Sequence, residues 1–334
     1  TAAAASANAF TLTSELTTPF STPAVASNAS TTIALWDAYP VQGVLAGVAC
    51  RALDAGGQAT AQQRFVATDS ADVVSIAALS NGTFAAVWNA SVGSTEVIRG
   101  VFVQPDCTTT AAAQTVSAAG GPDDFPHRSA IASTADRVLF TWIVDGDLHA
   151  RTALTSGAFA TADTVLIART VDEAVDEARP AGLSDGSFAL AVRSGKIDDP
   201  ADPGRIQLYR VTADGKLSGP PALITDRNAT DAGGRDSFGI AVRSDDTLML
   251  AWHTCASFDA PRMCDVSGRI VRASGEPLTD VFAIPTTTPG DQRLPSVVGL
   301  PDGFVAMWSD ASAQPPDVVG TAARARIVYP PPAP

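Results

Sequence analysis

The chain has 334 residues and a formal net charge of −13, which arises from 35 acidic and 22 basic residues. This charge opposes association with nucleic acid phosphates and with anionic lipid surfaces. With 46% hydrophobic residues the chain is too apolar to be disordered, and its apolar runs are shorter than the roughly 18 residues that span a bilayer. The opening TAAAASANAF lacks the regions of a signal peptide, and we expect a soluble globular protein in its mature form.

Five tryptophans end similar segments at intervals of about 50 residues. They are Trp36, Trp88, Trp142, Trp252 and Trp308. Their spacings are 52, 54, 110 and 56 residues, and the interval of 110 is a double step whose missing copy, LSDGSFALAV, ends at Val192. Self-similarity at this period is typical of propeller blades or solenoid units.

Each unit carries signals for four short strands. The first strand is a run of small apolar residues, as in VVSIAAL (73–79), PAGL (180–183) and PSVVGL (295–300). A tight turn follows, in which Asn or Asp before Gly supplies the positive φ that two-residue hairpins need. These turns are SNG (80–82), SDG (184–186) and PDG (301–303). The second strand then ends at the tryptophan.

The outer half of each unit follows a connection of varying length, which is where binding specificity tends to reside on a rigid scaffold. The predicted third strands are GVACRAL (47–53), GVFVQP (100–105), LHARTAL (148–154), IQLYRVT (206–212), GRIVRAS (268–274) and GTAARARIVY (320–329). The predicted fourth strands are QRFVAT (63–68), AQTVSA (113–118), DTVLIAR (163–169), PALITD (221–226) and DVFAIPT (280–286). The sixth unit therefore lacks a fourth strand.

The missing strand has a candidate at the other end of the chain. The segment after Tyr329 is PPPAP, which cannot donate ladder hydrogen bonds, whereas NAFTLT (8–13) resembles the fourth strand at 280–286. Pairing of 8–13 with 320–329 would close a ring and leave no open edge. We therefore predict an all-β fold, one six-bladed β-propeller domain of four-stranded blades. The predicted blades cover 23–72, 73–124, 125–177, 178–234, 235–292, and 293–329 together with 8–13.

The tryptophans need no functional role in this fold. An aromatic side chain at one place in each blade is expected to fill the wedge between neighbouring sheets, with Val192 as the smaller exception.

The segment PSVVGLPDGFVAMW (295–308), preceded by TTTPGDQR (286–293), resembles a repeat family of bacterial secreted and cell-surface propellers. The match is best at this junction between the fifth and sixth units, and the other copies have diverged. The resemblance implies a propeller at the cell surface or beyond it. It implies no reaction.

Four cysteines form an even set without the CxxC spacing of zinc or thioredoxin-type sites. We predict two disulfides, Cys255 with Cys264 and Cys50 with Cys107. Four free thiols in a cytosolic protein are the alternative, because a cysteine count alone does not fix the compartment.

Carboxylates recur in the connections between a fourth strand and the next first strand. Those expected nearest the mouth of the central channel are Asp72, Asp124, Asp176, Asp236 and Asp291. Clustered carboxylates repel one another unless a cation lies among them, and calcium or magnesium prefers such oxygen ligands. We predict either no cofactor or a divalent cation at these residues. The alternative is that each aspartate is solvated singly.

Arginines occur at the same junctions. They are Arg128, Arg179, Arg235 and Arg293. A ring of these could hold a carboxylate through paired hydrogen bonds, and it is similar to the arginine cluster of sialidases, which are six-bladed propellers. The turns here, however, lack the full SxDxGxTW pattern of sialidases, and no tyrosine has an adjacent acidic partner that would activate it as a nucleophile. Pairing of these arginines with the junction aspartates would instead tie blades together.

The sequence contains no Walker motif, no GxSxG elbow and no metal-binding spacing among its three histidines. We therefore predict a monomeric, non-enzymatic, extracytoplasmic propeller of bacterial origin that presents an acidic loop face to a protein or carbohydrate partner. One alternative is a glycoside hydrolase or lyase that acts at the channel mouth. Another is a structural module of a surface assembly.

Overall fold

The computed structural model describes residues 23–38, 47–54, 57–60, 62–93, 95–118, 126–196, 204–225, 238–255, 264–286, 290–313 and 320–331. These residues form 23 β-strands, and none of them belongs to a helix that could cross a membrane. The chain divides into two compact units, 1–125 and 126–334, which are described separately.

The first unit contains two four-stranded antiparallel sheets with the strands adjacent in chain order. The first sheet consists of β1 (Ala24–Ser27), β2 (Thr32–Ala38), β3 (Gly47–Leu53) and β4 (Arg64–Ala67). The second consists of β5 (Ser70–Ala78), β6 (Phe84–Val92), β7 (Thr95–Val103) and β8 (Gln114–Thr115).

The second unit contains four sheets of the same kind. The third sheet consists of β9 (His127–Ser133), β10 (Arg137–Val144), β11 (Asp147–Leu154) and β12 (Thr164–Ile167). The fourth consists of β13 (Glu173–Gly182), β14 (Phe188–Lys196), β15 (Arg205–Val211) and β16 (Ala222–Thr225). The fifth consists of β17 (Phe238–Val242), β18 (Thr247–Cys255), β19 (Cys264–Arg272) and β20 (Phe282–Ala283). The sixth consists of β21 (Gln292–Gly299), β22 (Phe304–Asp310) and β23 (Ala322–Val328).

The predicted fold class is confirmed, since the chain is all-β and its sheets follow the six predicted blades in order. Several strand boundaries differ from the prediction. The second strands do not end at the tryptophan, since β18 continues from Trp252 to Cys255 and β22 from Trp308 to Asp310. The inner strand of the fourth sheet begins at Glu173 rather than at residue 180, and the segment 89–98 is a hairpin between β6 and β7 rather than a loop. Polar and charged residues occupy the added strand positions, so the apolar pattern did not reveal them.

All five tryptophans are buried, and Trp88, Trp252 and Trp308 pack between neighbouring sheets, as predicted. Trp252 packs in a core cluster with Leu183 and Leu248, and Trp308 packs with Met249 and Ile270 of the preceding sheet. Val192 takes the equivalent place against Leu139 and Ile143 of the third sheet. Apolar wedges between consecutive sheets therefore hold the second unit together.

The inner strands of neighbouring sheets approach to backbone contact. A Cβ atom on Gly182 would lie 1.8 Å from the carbonyl oxygen of Ser133, and one on Gly299 would lie 2.3 Å from the carbonyl oxygen of Val242. No side chain fits in either place, which explains glycine inside two strands. The outer edges are joined by arginines, because Arg269 Nη1 donates to the carbonyl oxygen of Ile224 at 2.8 Å.

The position of a β-bulge distinguishes the fourth sheet from the second, third and sixth. In β9 two residues, Arg128 and Ser129, oppose the single Trp142 of β10. In β13 the strand is regular opposite Val192, and the extra residue is Asp176, between Val175 and Glu177. Successive side chains point to opposite faces of a strand, so one inserted residue reverses the face of everything beyond it.

Both predicted disulfides are present. Cys50 of β3 is bonded to Cys107 in the turn that follows β7, with their Cα atoms 5.8 Å apart. Cys255 and Cys264 are directly opposed on β18 and β19, with a Cα–Cα distance of 3.9 Å. Two disulfides are typical of an oxidising, extracytoplasmic environment.

The predicted closing strand, residues 8–13, lies outside the described residues, and in the described part of the chain the sixth sheet has three strands. If 8–13 complete this sheet, deletion of residues 1–14 leaves β23 with an open edge and should lower the melting temperature or cause aggregation. Differential scanning calorimetry of the truncated and complete chains tests this. An unchanged melting temperature would rule out the closure.

Candidate functional site

The two ends of the sheets differ in construction. At one end, tight turns join the first to the second strand and the third to the fourth, as at 184–187, where the Asp185 carboxylate accepts hydrogen bonds from the amide and hydroxyl of Ser187. At the other end lie the variable connections. Buried polar side chains of the second unit at this variable end include Glu177, Arg193, Ser194, His253, Gln292 and Asp310. Burial of such groups is costly without partners, so this end holds the candidate sites.

Glu173 is the best-oriented carboxylate at the variable end of the fourth sheet. Ser194 Oγ on β14 donates to its Oε1 at 2.9 Å, and Arg205 Nη2 on β15 donates to its Oε2 at 2.8 Å. Three strands thus fix one carboxylate, whose side chain stays 21% exposed. The remaining exposure leaves the carboxylate accessible to a ligand.

Tyr209 of β15 belongs to the same cluster. Burial raises the pKa of its phenol; Arg205 lowers that pKa in part, and Glu173 raises it further. The hydroxyl therefore keeps its proton and donates to Gln207 Oε1 at 3.3 Å. The prediction that no tyrosine has an acidic partner considered only neighbours along the chain; Glu173 and Tyr209 are brought together by strand pairing.

Glu177 forms a second charged group on the opposite face of the same sheet, because the bulge at Asp176 reverses the side-chain direction. Its side chain is 2% exposed and accepts a hydrogen bond from Arg179 Nε at 2.8 Å. Arg193, itself 7% exposed, lies directly opposite Glu177 in the ladder. The buried carboxylate is thus paired with the Arg179 guanidinium, and a second arginine faces Glu177 from the neighbouring strand.

Asp310, at the end of β22, is the most enclosed carboxylate of the second unit. Burial alone would raise its pKa, but hydrogen bonds from the Ser312 hydroxyl and amide, with Arg324 and Gln292, hold the pKa below its ordinary value. Arg324 Nε lies 2.7 Å from Oδ2, and the side chain is completely buried. This aspartate holds the segment after β22 against β23 through Ser312 and Arg324, and it presents no atom to a ligand.

The predicted aspartates are only partly described. Asp72 is exposed on β5, opposite Asn89, and Asp176 is the bulge residue of β13. The Asp291 carboxylate accepts from the Cys264 amide at 3.2 Å and is paired with Arg293. Asp124 and Asp236 lie outside the described residues. Within the described ranges, no three His, Cys, Asp or Glu side chains form a group that could hold a metal ion.

The described arginines only partly match the expected pairing between blades, because two of them pair with a carboxylate two residues away along their own segment and only Arg128 reaches the next sheet. Arg293 binds Asp291, Arg179 binds Glu177, and Arg128 Nη1 donates to the backbone carbonyl of Asp176. Two of these pairs share the spacing acidic-x-Arg on one strand. Arg235 lies outside the described residues.

A divalent cation at the five aspartates stays a prediction. A cation that binds only the folded chain stabilises it by RT ln(1 + [L]/Kd), about 2.7 kcal/mol at a hundredfold excess over Kd. Melting curves in chelator and in millimolar calcium or magnesium should then differ, and D72N/D236N should abolish the difference. Superimposable curves would contradict the cation site.

No protein-family profile and no curated protein matches this chain. Solved structures do match its fold. An α-L-arabinanase of Penicillium chrysogenum, complexed with arabinobiose, aligns with a TM-score of 0.56 at 9% identity, over 91% of this chain and 92% of its own. An α-L-arabinofuranosidase of Fusarium graminearum, complexed with an iminosugar inhibitor, aligns with a TM-score of 0.55 at 11% identity, over 92% of both chains. An ulvan lyase aligns with a TM-score of 0.53 at 12% identity, over 92% and 78%.

These matches support a six-bladed propeller with carbohydrate-cleaving neighbours, while the predicted repeat family is not confirmed. They also correct one prediction. A non-enzymatic binding propeller is the wrong interpretation, and the alternative of a glycoside hydrolase or lyase is the one that the neighbours favour.

Proposed function

We propose that this chain cleaves glycosidic bonds of a polysaccharide at the variable end of its fourth sheet. The observation that carries the proposal is Glu173, an oriented and still accessible carboxylate held by Ser194 and Arg205 beside the protonated phenol of Tyr209. A titratable group with a shifted pKa, such as Tyr209, is typical of active sites. Variable connections on a rigid scaffold, such as those at this end of the sheets, often carry such sites.

The chemistry of glycoside cleavage fits this cluster. An ionised carboxylate acts either as the nucleophile that attacks the anomeric carbon or as the base that activates water or removes a ring proton. Arg205 and Ser194 both donate hydrogen bonds to the Glu173 carboxylate and so fix its orientation. The Tyr209 hydroxyl, which retains its proton, can donate a hydrogen bond to a sugar oxygen, and its ring offers an apolar surface to the sugar.

The fold neighbours support the same class of substrate. Two of them act on arabinose-containing saccharides by name, and a third is a polysaccharide lyase. Hydrolase and lyase differ in product: hydrolysis releases a new reducing end, whereas elimination also leaves an unsaturated uronate. The two disulfides suit an enzyme that works outside the cytoplasm.

The test is a polysaccharide panel that includes arabinan and ulvan, assayed for new reducing ends and for the ultraviolet absorbance of unsaturated uronates. Glu173→Gln should lower the rate at least about 100-fold, the smaller effect typical of losing a general acid or base. The matched control is Glu276→Gln, which alters a 65% exposed glutamate paired with Arg272 in a turn at the other end of the fifth sheet. Full activity of Glu173→Gln, or no cleavage of any saccharide by the wild type, would contradict the proposal.

A further inference from the structure

The hairpin that joins β10 to β11 is the shortest connection between a second and a third strand in the second unit, because two residues separate Val144 from Asp147. These residues, Asp145 and Gly146, have positive φ values of 50° and 85°. Asp-Gly with positive φ at both positions is typical of a tight two-residue turn. The third sheet therefore ends in a compact turn at the variable end.

This hairpin contacts the start of β13 through Gly146. The Gly146 carbonyl oxygen accepts a hydrogen bond from the Val175 amide at 2.9 Å, so the two sheets are joined backbone to backbone. A Cβ atom on Gly146 would lie 2.7 Å from the Cβ of Ala174. No side chain fits there unless the start of β13 moves away. Ala174 and Val175 directly follow Glu173, so such a movement would displace the Glu173 backbone.

The same hairpin also holds the segment before Glu173. Asp147 Oδ1 accepts a hydrogen bond from the Arg169 amide at 2.6 Å, and Arg169 Nη1 donates to the Asp145 carbonyl oxygen at 2.8 Å. Thr170 then closes a turn into β13, because its amide donates to the Glu173 carbonyl oxygen at 2.8 Å and its Oγ1 accepts from the Glu173 amide at 3.0 Å. The hairpin thus fixes the chain on both sides of Glu173.

The orientation of the Glu173 carboxylate depends on this backbone. Ser194 and Arg205 hold its two oxygens from the neighbouring strands β14 and β15, at 2.9 and 2.8 Å. Hydrogen bonds weaken when their distance or angle departs from the optimum. A displacement of the start of β13 would therefore weaken both contacts, and a misplacement of about 1 Å can lower a catalytic rate about 100-fold.

We infer that the 145–147 hairpin of the third sheet positions the Glu173 carboxylate, with Gly146 and Asp147 as the positioning residues. The inference rests on the proposed function for its effect on cleavage, whereas the placement of Glu173 can be measured without turnover. Both residues act through the backbone of 169–175 and are not catalytic groups. The site on the fourth sheet therefore depends on the neighbouring sheet.

The experiment compares Gly146→Ala with Gly186→Ala in the complete protein. Gly186 is the matched control, because its φ of 82° is close to the 85° of Gly146 but nothing lies within 4 Å of an added Cβ. Both variants carry the same backbone strain, and Gly146→Ala in addition pushes against β13. On the saccharide that the wild type cleaves best, Gly146→Ala should lower kcat at least about tenfold and change KM less than about twofold. Gly186→Ala should keep the wild-type kcat.

Tyr209 supplies a readout that needs no turnover. Burial raises the pKa of its phenol most, Arg205 lowers that pKa in part, and Glu173 raises it further. Movement of Glu173 away from the phenol should therefore lower the Tyr209 pKa in Gly146→Ala and leave it unchanged in Gly186→Ala. The chain has three tyrosines, so NMR titration of the tyrosine ring carbons, with Tyr209→Phe for assignment, resolves this phenol.

A second pair of variants serves if the melting curve shows that Gly146→Ala does not fold. Asp147→Ala removes the acceptor for the Arg169 amide and should lower both kcat and the Tyr209 pKa. Asp147→Asn keeps an oxygen acceptor at this place and should restore most of both values.

Equal kcat or equal Tyr209 pKa in the two glycine variants overturns the inference where Gly146→Ala folds. Where it does not fold, equal values in Asp147→Ala and Asp147→Asn overturn it. Absence of cleavage by the wild type contradicts the proposed function alone, and the Tyr209 pKa then decides the inference by the same comparison.

Discussion

The close approach of neighbouring inner strands is the constraint on which the rest of the second unit depends. Gly182 and Gly299 face carbonyl oxygens of the preceding sheet at distances that exclude even a methyl group. Sheets that touch at their inner strands diverge outward, and the space that opens is filled by Trp252, Trp308 and, in reduced form, Val192. Glycine on the inner strands lets neighbouring sheets touch, and a large residue on the second strand fills the gap that opens between them. The two features therefore depend on each other.

The candidate site lies in the fourth sheet, where Val192 replaces the tryptophan of this packing arrangement. Where tryptophan occupies the second strand, as in the third and sixth sheets, the bulge of the inner strand lies opposite it. In the fourth sheet, the inner strand pairs regularly opposite the smaller Val192. Its bulge lies instead at Asp176. The displaced bulge directs Glu173 toward Ser194 and Arg205 on one face and Glu177 toward Arg179 on the other. A single inserted residue thus yields two differently equipped carboxylates at the start of one strand.

Much of the fold could be predicted from the sequence because it repeats. The tryptophans and the Asn-Gly and Asp-Gly turns recur in most of the units, so each blade carries the same local signal. The spacing of the cysteines adds a signal for the disulfides. The candidate site has no such redundancy. Glu173, Ser194, Arg205 and Tyr209 come from three strands and meet only through their register. The apolar pattern also predicts a start for β13 at residue 180, later than the observed Glu173. The pattern fails because charged residues interrupt it, namely Glu173, Asp176, Glu177 and Arg179. Residues adjacent in sequence offer Tyr209 no acidic partner, which is why the sequence alone favours a binding protein without activity.

Hydrogen–deuterium exchange of the Glu173→Gln protein, with and without the saccharide that the wild type cleaves best, tests the placement of the site most directly. Binding at the start of β13 predicts slower exchange in 173–179, 192–196 and 204–209 and unchanged exchange in the turns 184–187 and 212–216 at the opposite end of the same sheet. Protection confined to those turns, or to sheets other than the fourth, would contradict a saccharide site built around Glu173.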